Sequence, residues 1–164
     1  MINKNAKLFA CIFALAVLFS WTGYVAVNSN TGETVEFKIT GYDPRDLLSG
    51  HYLTYTVDFG VLESRTENRR AYLCLDDKTV YPQKPSSCAL GLAGEYYKWN
   101  KAFNHRGIDR FYIPEEYAQR LDKALRSGKH DAKIKVLITK NGAAYVKEMY
   151  FDGIAVREFA EKIK

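Results

Sequence analysis

Histidine is scarce in this chain of 164 residues: His51, His105 and His130 are the only three, far apart and none with a second ligand at helical or strand spacing. That excludes locally written metal sites such as H-E-x-x-H, and no metal or cofactor is expected. No G-x-S-x-G elbow, Walker glycine loop, internal repeat or low-complexity run occurs. A Ser-His-Asp triad needs no neighbours in sequence and is not excluded on these grounds. Strong positive charge is also missing. The net charge is +5, and setting aside Lys4 and Lys7 leaves +3 for everything after Val27, which is no nucleic-acid footprint.

A third absence is local. "LFACIFALAVLFSWTGYVAV", Leu8 to Val27, holds no charged residue. Roughly 20 apolar residues at ~1.5 Å each match the hydrocarbon thickness of a bilayer, whereas a cleaved signal ordinarily has an apolar region of about 7 to 15. Val27 and Ser29 also make a poor small-x-small cleavage site, so an uncleaved anchor is expected, with cleavage as the alternative. Lys4 and Lys7 precede the run and no acid does, which keeps the N-terminus in the cytoplasm and sends Asn28 onward across the membrane. Trp21 and Tyr24 then lie toward the outer interface.

Cysteine is nearly absent as well. Cys11 falls inside the apolar run, where a thiol behaves as a small apolar group, while Cys74 and Cys88 make an even pair in the exported part. In an oxidising compartment these two are expected to form a disulfide closing "CLDDKTVYPQKPSSC". A pair of reduced buried thiols is the alternative.

What is present reads as alternating strands. In "VEFKIT", Val35, Phe37 and Ile39 share one face. "GYDPRDLLSG" is a turn, with Asp43-Pro44 as its start. "HYLTYTVDF" places His51, Leu53, Tyr55, Val57 and Phe59 on one side and Tyr52, Thr54, Thr56 and Asp58 on the other, as in an antiparallel sheet solvated on one face. "AYLCLD" is a further strand. "YYKWNKAFNHR" alternates too, and is read as a strand through Lys101.

Pro114 with Glu115 and Glu116 opens an amphipathic helix that carries Tyr117, Leu121, Ala124 and Leu125 on one face and ends by Gly128. Two alternating runs around Asn141-Gly142 predict a hairpin with a two-residue type I′ turn, Ile138 opposite Tyr145, Lys135 opposite Glu148 and Ile134 opposite Met149. The tail "IAVREFAEKIK" can add a helical turn or two.

Two stretches are candidate contact surfaces. One is the turn, through Arg45, Asp46, Gly50, His51 and Tyr52, since irregular loops carry function more readily than strands. In the purely structural alternative Asp43 caps the turn, Arg45 pairs with a carboxylate and Leu47 or Leu48 plugs the core. The other is an aromatic and basic patch, Tyr97, Lys98, Trp99 and Lys101, suited to a protein partner, a membrane surface or a glycan. No residue is assigned a catalytic role.

The sequence "DPRDLLSGHYLTYTV" resembles the signature of the GDYXXLXY family of membrane-anchored proteins. The resemblance extends to the N-terminal membrane segment, to the step "RFYIPE" at Arg110 to Glu115, and to a C-terminal hairpin ending in Asp152-Gly153. Asp43 to Asp46, Leu48, Gly50 and Tyr52 stand as in the family. His51 replaces the signature's aspartate, Tyr55 its leucine and Val57 its last tyrosine, which argues against an acid chemistry carried by the motif. The resemblance implies a membrane-bound domain of uncharacterised biochemical function, associated with multi-pass membrane proteins.

The expected organisation is therefore a cytoplasmic tail over 1–7, a single transmembrane anchor over 8–27, a linker over 28–33 and an exported domain over 34–164. The fold class is α+β: one N-terminal transmembrane helix, then a mainly antiparallel β-sheet domain with one amphipathic helix packed on it. The expected location is the bacterial inner membrane with the domain in the periplasm. A non-enzymatic accessory module for a multi-pass membrane protein is the leading function. The alternatives are an envelope enzyme acting on a peptide or cell-wall substrate, with His51 and Asp46 in its site, and a domain that binds cell wall or lipid headgroups.

Overall fold

The computed structural model describes residues 4–41 and 52–163. Two units follow one another, 1–32 and 33–164. The first is a helix, α1 (Lys4–Asn30), whose stretch Phe9–Val27 is long and apolar enough to cross a membrane and is not buried anywhere. A helix apolar all round needs either a protein core or lipid. The Thr22 hydroxyl, polar in that setting, returns its proton to the Leu18 carbonyl at 2.6 Å, so the helix satisfies it internally.

The second unit opens with β1 (Glu33–Gly41), in which Phe37 and Ile39 are buried as the alternation requires. β1 lies between β2 (Tyr52–Asp58) and β9 (Ala132–Ile138), antiparallel to both. The register sets Phe37 opposite Ile134 and Ile39 opposite Val57, aligning apolar side chains across three strands. With β8 (Arg110–Tyr112), β10 (Ala144–Phe151) and β11 (Ile154–Ala155) the sheet runs β11-β10-β9-β1-β2-β8.

A second sheet of five strands, in the order β3-β5-β4-β6-β7, comprises β3 (Glu63–Ser64), β4 (Arg70–Cys74), β5 (Thr79–Tyr81), β6 (Gly91–Tyr97) and β7 (Ala102–Asn104). β3 and β5 pair parallel, and the other strand pairs among the described residues are antiparallel. The two sheets bury one core. Phe59 is central to it, edge-on to Phe37 of the first sheet at 5.1 Å and to Phe103 of the second at 5.4 Å.

The amphipathic helix is α2 (Glu115–Arg126); Leu121 and Leu125 are buried, and the helix packs on β1 and β2. As expected, the tail forms a short helix of about two turns, α3 (Val156–Lys162), with Val156, Phe159 and Ala160 buried. These sit at i, i+3 and i+4, an apolar stripe that the intervening Arg157 and Glu158 conceal in the sequence. Phe159 stacks on Phe151, centroids 4.7 Å apart.

The C-terminal hairpin departs from its predicted turn in an instructive way. Gly142 N–H donates to the Thr139 carbonyl and Thr139 N–H to the Ala143 carbonyl, both at 2.9 Å, and Gly142 alone has a positive φ, 77°. That is a three-residue loop, a type I turn closed by a left-handed glycine. Ile138 therefore faces Ala144, one residue off the expected Tyr145. A β-bulge between Val146 and Glu148 absorbs the slip, so Lys135 faces Glu148 and Ile134 faces Met149 as predicted. The two-residue turn with both φ positive occurs instead at Asp152-Gly153, 52° and 79°, joining β10 to β11.

Asp152 ties that turn down. Its Oδ2 lies 2.7 Å from His130 Nδ1, and Oδ1 accepts the Asp131 N–H at 2.9 Å. The His130 hydrogen bond first, and that of Asp131 after it, hold the carboxyl below the usual carboxylate range. The stability it contributes is present in full above about pH 4 and is lost as pH falls through the lowered folded-state value. Asp152→Asn is expected to flatten the acid limb of a plot of melting temperature against pH. Parallel limbs for variant and wild type would refute this linkage.

Candidate functional site

Of the turn residues singled out, Arg45, Asp46, Gly50 and His51 lie outside the described residues. Tyr52, which opens β2, is exposed and directly opposite Tyr112 of the edge strand β8. The two rings meet edge to face at 5.5 Å, an arrangement that keeps both fixed while leaving aromatic surface in solvent. Tyr112 is 64% exposed.

The inward residues Leu53 and Tyr55, which follow Tyr52 on β2, are core. Leu53 and Tyr55 are each 2% exposed, and Phe59 closes the strand's inner face. Tyr55 occupies the place of the signature's leucine, and there its hydroxyl is buried with no hydrogen-bond partner among the described residues. Burial, and after it the Asp109 carboxylate, push its ionisation well above the usual tyrosine range, so the group stays a neutral phenol. Removing an unsatisfied hydroxyl at constant shape is close to neutral or favourable. Tyr55→Phe is thus expected to keep the melting temperature or to stabilise by up to about 1 kcal/mol. A clear loss of stability would reveal a partner for that hydroxyl.

The aromatic and basic patch is a hairpin tip and not a continuous strand. β6 ends at Tyr97, Lys101 N–H donates to the Lys98 carbonyl at 3.4 Å, and Lys101 takes a left-handed φ of 52° before β7 begins. Alternation continues through the turn, and no glycine or proline marks it, so the sequence pattern hid the reversal. The Asn100 side chain closes it by accepting the Ala102 N–H at 3.1 Å.

The four patch residues have different surroundings. Tyr97 donates to Glu95 Oε2 at 2.8 Å and accepts from Arg69 at 3.3 Å, while Arg69 and Arg106 pair with the same carboxylate at 3.0 and 3.2 Å. The Tyr97 bond, then that of Arg69, hold the Glu95 carboxyl low. Lys98 pairs with Glu67. Trp99 is 83% exposed and Lys101 is exposed. Sequence spacing does not reveal the Glu95 cluster, because its members come from three separate segments.

Between this tip and β2 lies a cleft of about 380 Å³, lined by Thr54, Tyr55, Thr56, Trp99, Asn104 and Asp109 among others. A second depression, about 610 Å³, runs along residues 61–67 beside Tyr96, Lys98 and Lys101. Neither contains a nucleophile paired with a base. Among the described residues no serine, threonine or cysteine hydrogen-bonds a histidine: His105 Nδ1 contacts the Ala93 carbonyl at 2.6 Å, and His130 is held by Asp152.

Cys74 and Cys88 form a disulfide, Cα atoms 5.8 Å apart, and pack with Tyr72 and Tyr81. Asp76 lies within reach of both sulfurs, but sulfurs joined to each other are not thiolate ligands. Its carboxylate accepts instead the Ala89 N–H at 2.8 Å, clamping the same loop.

Neither a search of curated proteins nor a search of solved structures finds a match to this chain. The model of the GDYXXLXY protein family does match, over residues 13–149. That span takes in part of α1, the signature, both sheets as far as Met149 and the step from β8 into α2, so this chain belongs to the GDYXXLXY protein family.

Proposed function

We propose that this protein is a single-span, membrane-anchored accessory module whose β-domain lies on the extracytoplasmic side, in the bacterial periplasm, and docks on a multi-pass membrane protein without catalysing a reaction. The observation that carries this reading is the exposed Tyr52–Tyr112 pair, fixed edge to face across β2 and the edge strand β8. Aromatic rings already ordered before binding are favoured at interface centres, because they add contact area at low entropy cost. The apolar span Phe9–Val27 and the disulfide support the placement, one by being long and apolar enough to cross a bilayer and the other by suiting an oxidising compartment.

Photocrosslinking amino acids at Tyr52 and at Tyr112, with Tyr145 as a control position, test the proposal in intact cells. The expected result is one and the same multi-span membrane protein joined to 52 and 112 and not to 145. No specific adduct at either tyrosine, or identical adducts from all three positions, would overturn it.

A further inference from the structure

The cleft beside Trp99 has a lining that the docking surface does not use. It is built from β2 on one side and the β6–β7 hairpin on the other, with the Phe59–Phe103 contact, 5.4 Å between centroids, tying the two sides together. Its volume, about 380 Å³, falls at the small end of ligand sites, which span roughly 300–1,000 Å³. That size selects a small molecule or the end of a longer chain.

The chemistry of the lining is selective. Among the described residues no lysine or arginine lines this cleft, whereas the neighbouring depression is lined by Arg65, Lys98 and Lys101. An anionic ligand meets no counter-charge from them. What the cleft offers is an aromatic face on Trp99, the amides of Asn100 and Asn104, the hydroxyls of Thr54 and Thr56, and the Asp109 carboxylate. Tyr55 also borders the cleft, but its hydroxyl is buried away from solvent and is not a group that a ligand reaches.

A sugar ring has the complementary chemistry: an apolar face of C–H groups for an indole, and a rim of hydroxyls that both donate and accept. Amide, carboxylate and hydroxyl groups suit such a rim because between them they provide acceptors and donors. We infer that the cleft between β2 and the β6–β7 hairpin is a binding site for an uncharged saccharide, with Trp99 as the stacking surface and Thr54, Asn104 and Asp109 as hydrogen-bonding groups. The ligand is either a free sugar or the exposed end of a cell-wall glycan. The site is independent of the Tyr52–Tyr112 docking surface and stands or falls separately.

The test uses the full chain in phospholipid nanodiscs, since alkyl-maltoside detergents would themselves present sugar. Trp21→Phe leaves Trp99 as the sole indole, because the sequence has two tryptophans. Titration with N,N′-diacetylchitobiose is expected to change Trp99 fluorescence saturably, with Kd on the order of 1 mM. Sorbitol, which has hydroxyls but no ring face, is expected to leave it unchanged. Asp109→Ala should raise Kd about fivefold, the equivalent of one hydrogen bond. Asn104→Ala should weaken binding by a similar factor.

A second arm sediments the protein with purified cell-wall sacculi. Co-sedimentation abolished by Trp99→Ala assigns the site to a glycan end, and saturation by the disaccharide without co-sedimentation assigns it to a free sugar. Equal, unsaturable responses to chitobiose and sorbitol, or an affinity indifferent to both Asp109→Ala and Asn104→Ala, would overturn the inference.

Discussion

Gly94→Ala is expected to destabilise the β-sheet unit by about 3 kcal/mol or more, the upper end of what overpacking costs. A Cβ at this position would stand 2.3 Å from the Asn104 carbonyl oxygen and 2.5 Å from Phe103 Cζ. The first of these atoms is backbone in the paired strand β7, so no rotamer change relieves the contact and the ladder itself must move. Gly91→Ala, three residues earlier on β6, meets the same obstacle at the Leu73 carbonyl oxygen, 2.4 Å away, with Tyr72 Cε1 at 2.5 Å. Glycine inside a strand weakens it unless another backbone approaches closely. Here two neighbouring strands do, one on each side of β6. Urea unfolding of the two variants against Ala93→Gly, expected to cost only about 1 kcal/mol, measures the effect. Midpoints within error of the wild type would mean that the strands are further apart than described.

The second large effect concerns the disulfide. Cys74 and Cys88 are 14 residues apart, and closing a loop of that length removes about 3 kcal/mol of unfolded-chain entropy. The double variant Cys74→Ala, Cys88→Ala should melt about 10 °C lower, given a domain of this size. The bridge also seals the small cluster with Tyr72 and Tyr81, and the Asp76 clamp on Ala89 relies on the same loop geometry. Reductant should bring the wild type down to the variant and leave the variant unmoved. Equal melting temperatures for oxidised wild type and double variant would show that the bridge contributes nothing.

How much of this was legible in sequence follows from where periodicity is unambiguous. β1, β2 and α2 were readable because their apolar residues recur at one period and end at clear signals such as Pro114 and Gly128. The far half of the C-terminal hairpin was readable for the same reason. Its near half was not, since Asn141-Gly142 suits two loop lengths and the bulge that reconciles them has no side-chain signature. The β6–β7 reversal was hidden because Lys101, a lysine, adopts the backbone conformation usually left to glycine. The apolar stripe of α3 was masked by the charged residues between its members.

The candidate sites were legible only in part. The signature's alternation separates outward Tyr52 from inward Leu53 and Tyr55, as the sequence pattern implied. The cleft and the Glu95 cluster were not visible, because each gathers residues from segments far apart in the chain. Tyr55 marks the boundary between the two cases: its burial was readable from the period of two, whereas the solitary state of its hydroxyl requires the packed structure.

The claim on which the functional proposal depends is that an uncleaved span holds this domain on the far side of the membrane. Single cysteines introduced by Asn5→Cys and by Tyr145→Cys, with Cys11 replaced by alanine, can be probed in spheroplasts with a membrane-impermeant maleimide. Position 145 should label without permeabilisation, position 5 only after it, and Cys74 and Cys88 not at all unless reductant is added. Labelling at 5 with protection at 145, or recovery of a soluble domain that has lost position 5, would contradict the anchored, extracytoplasmic arrangement.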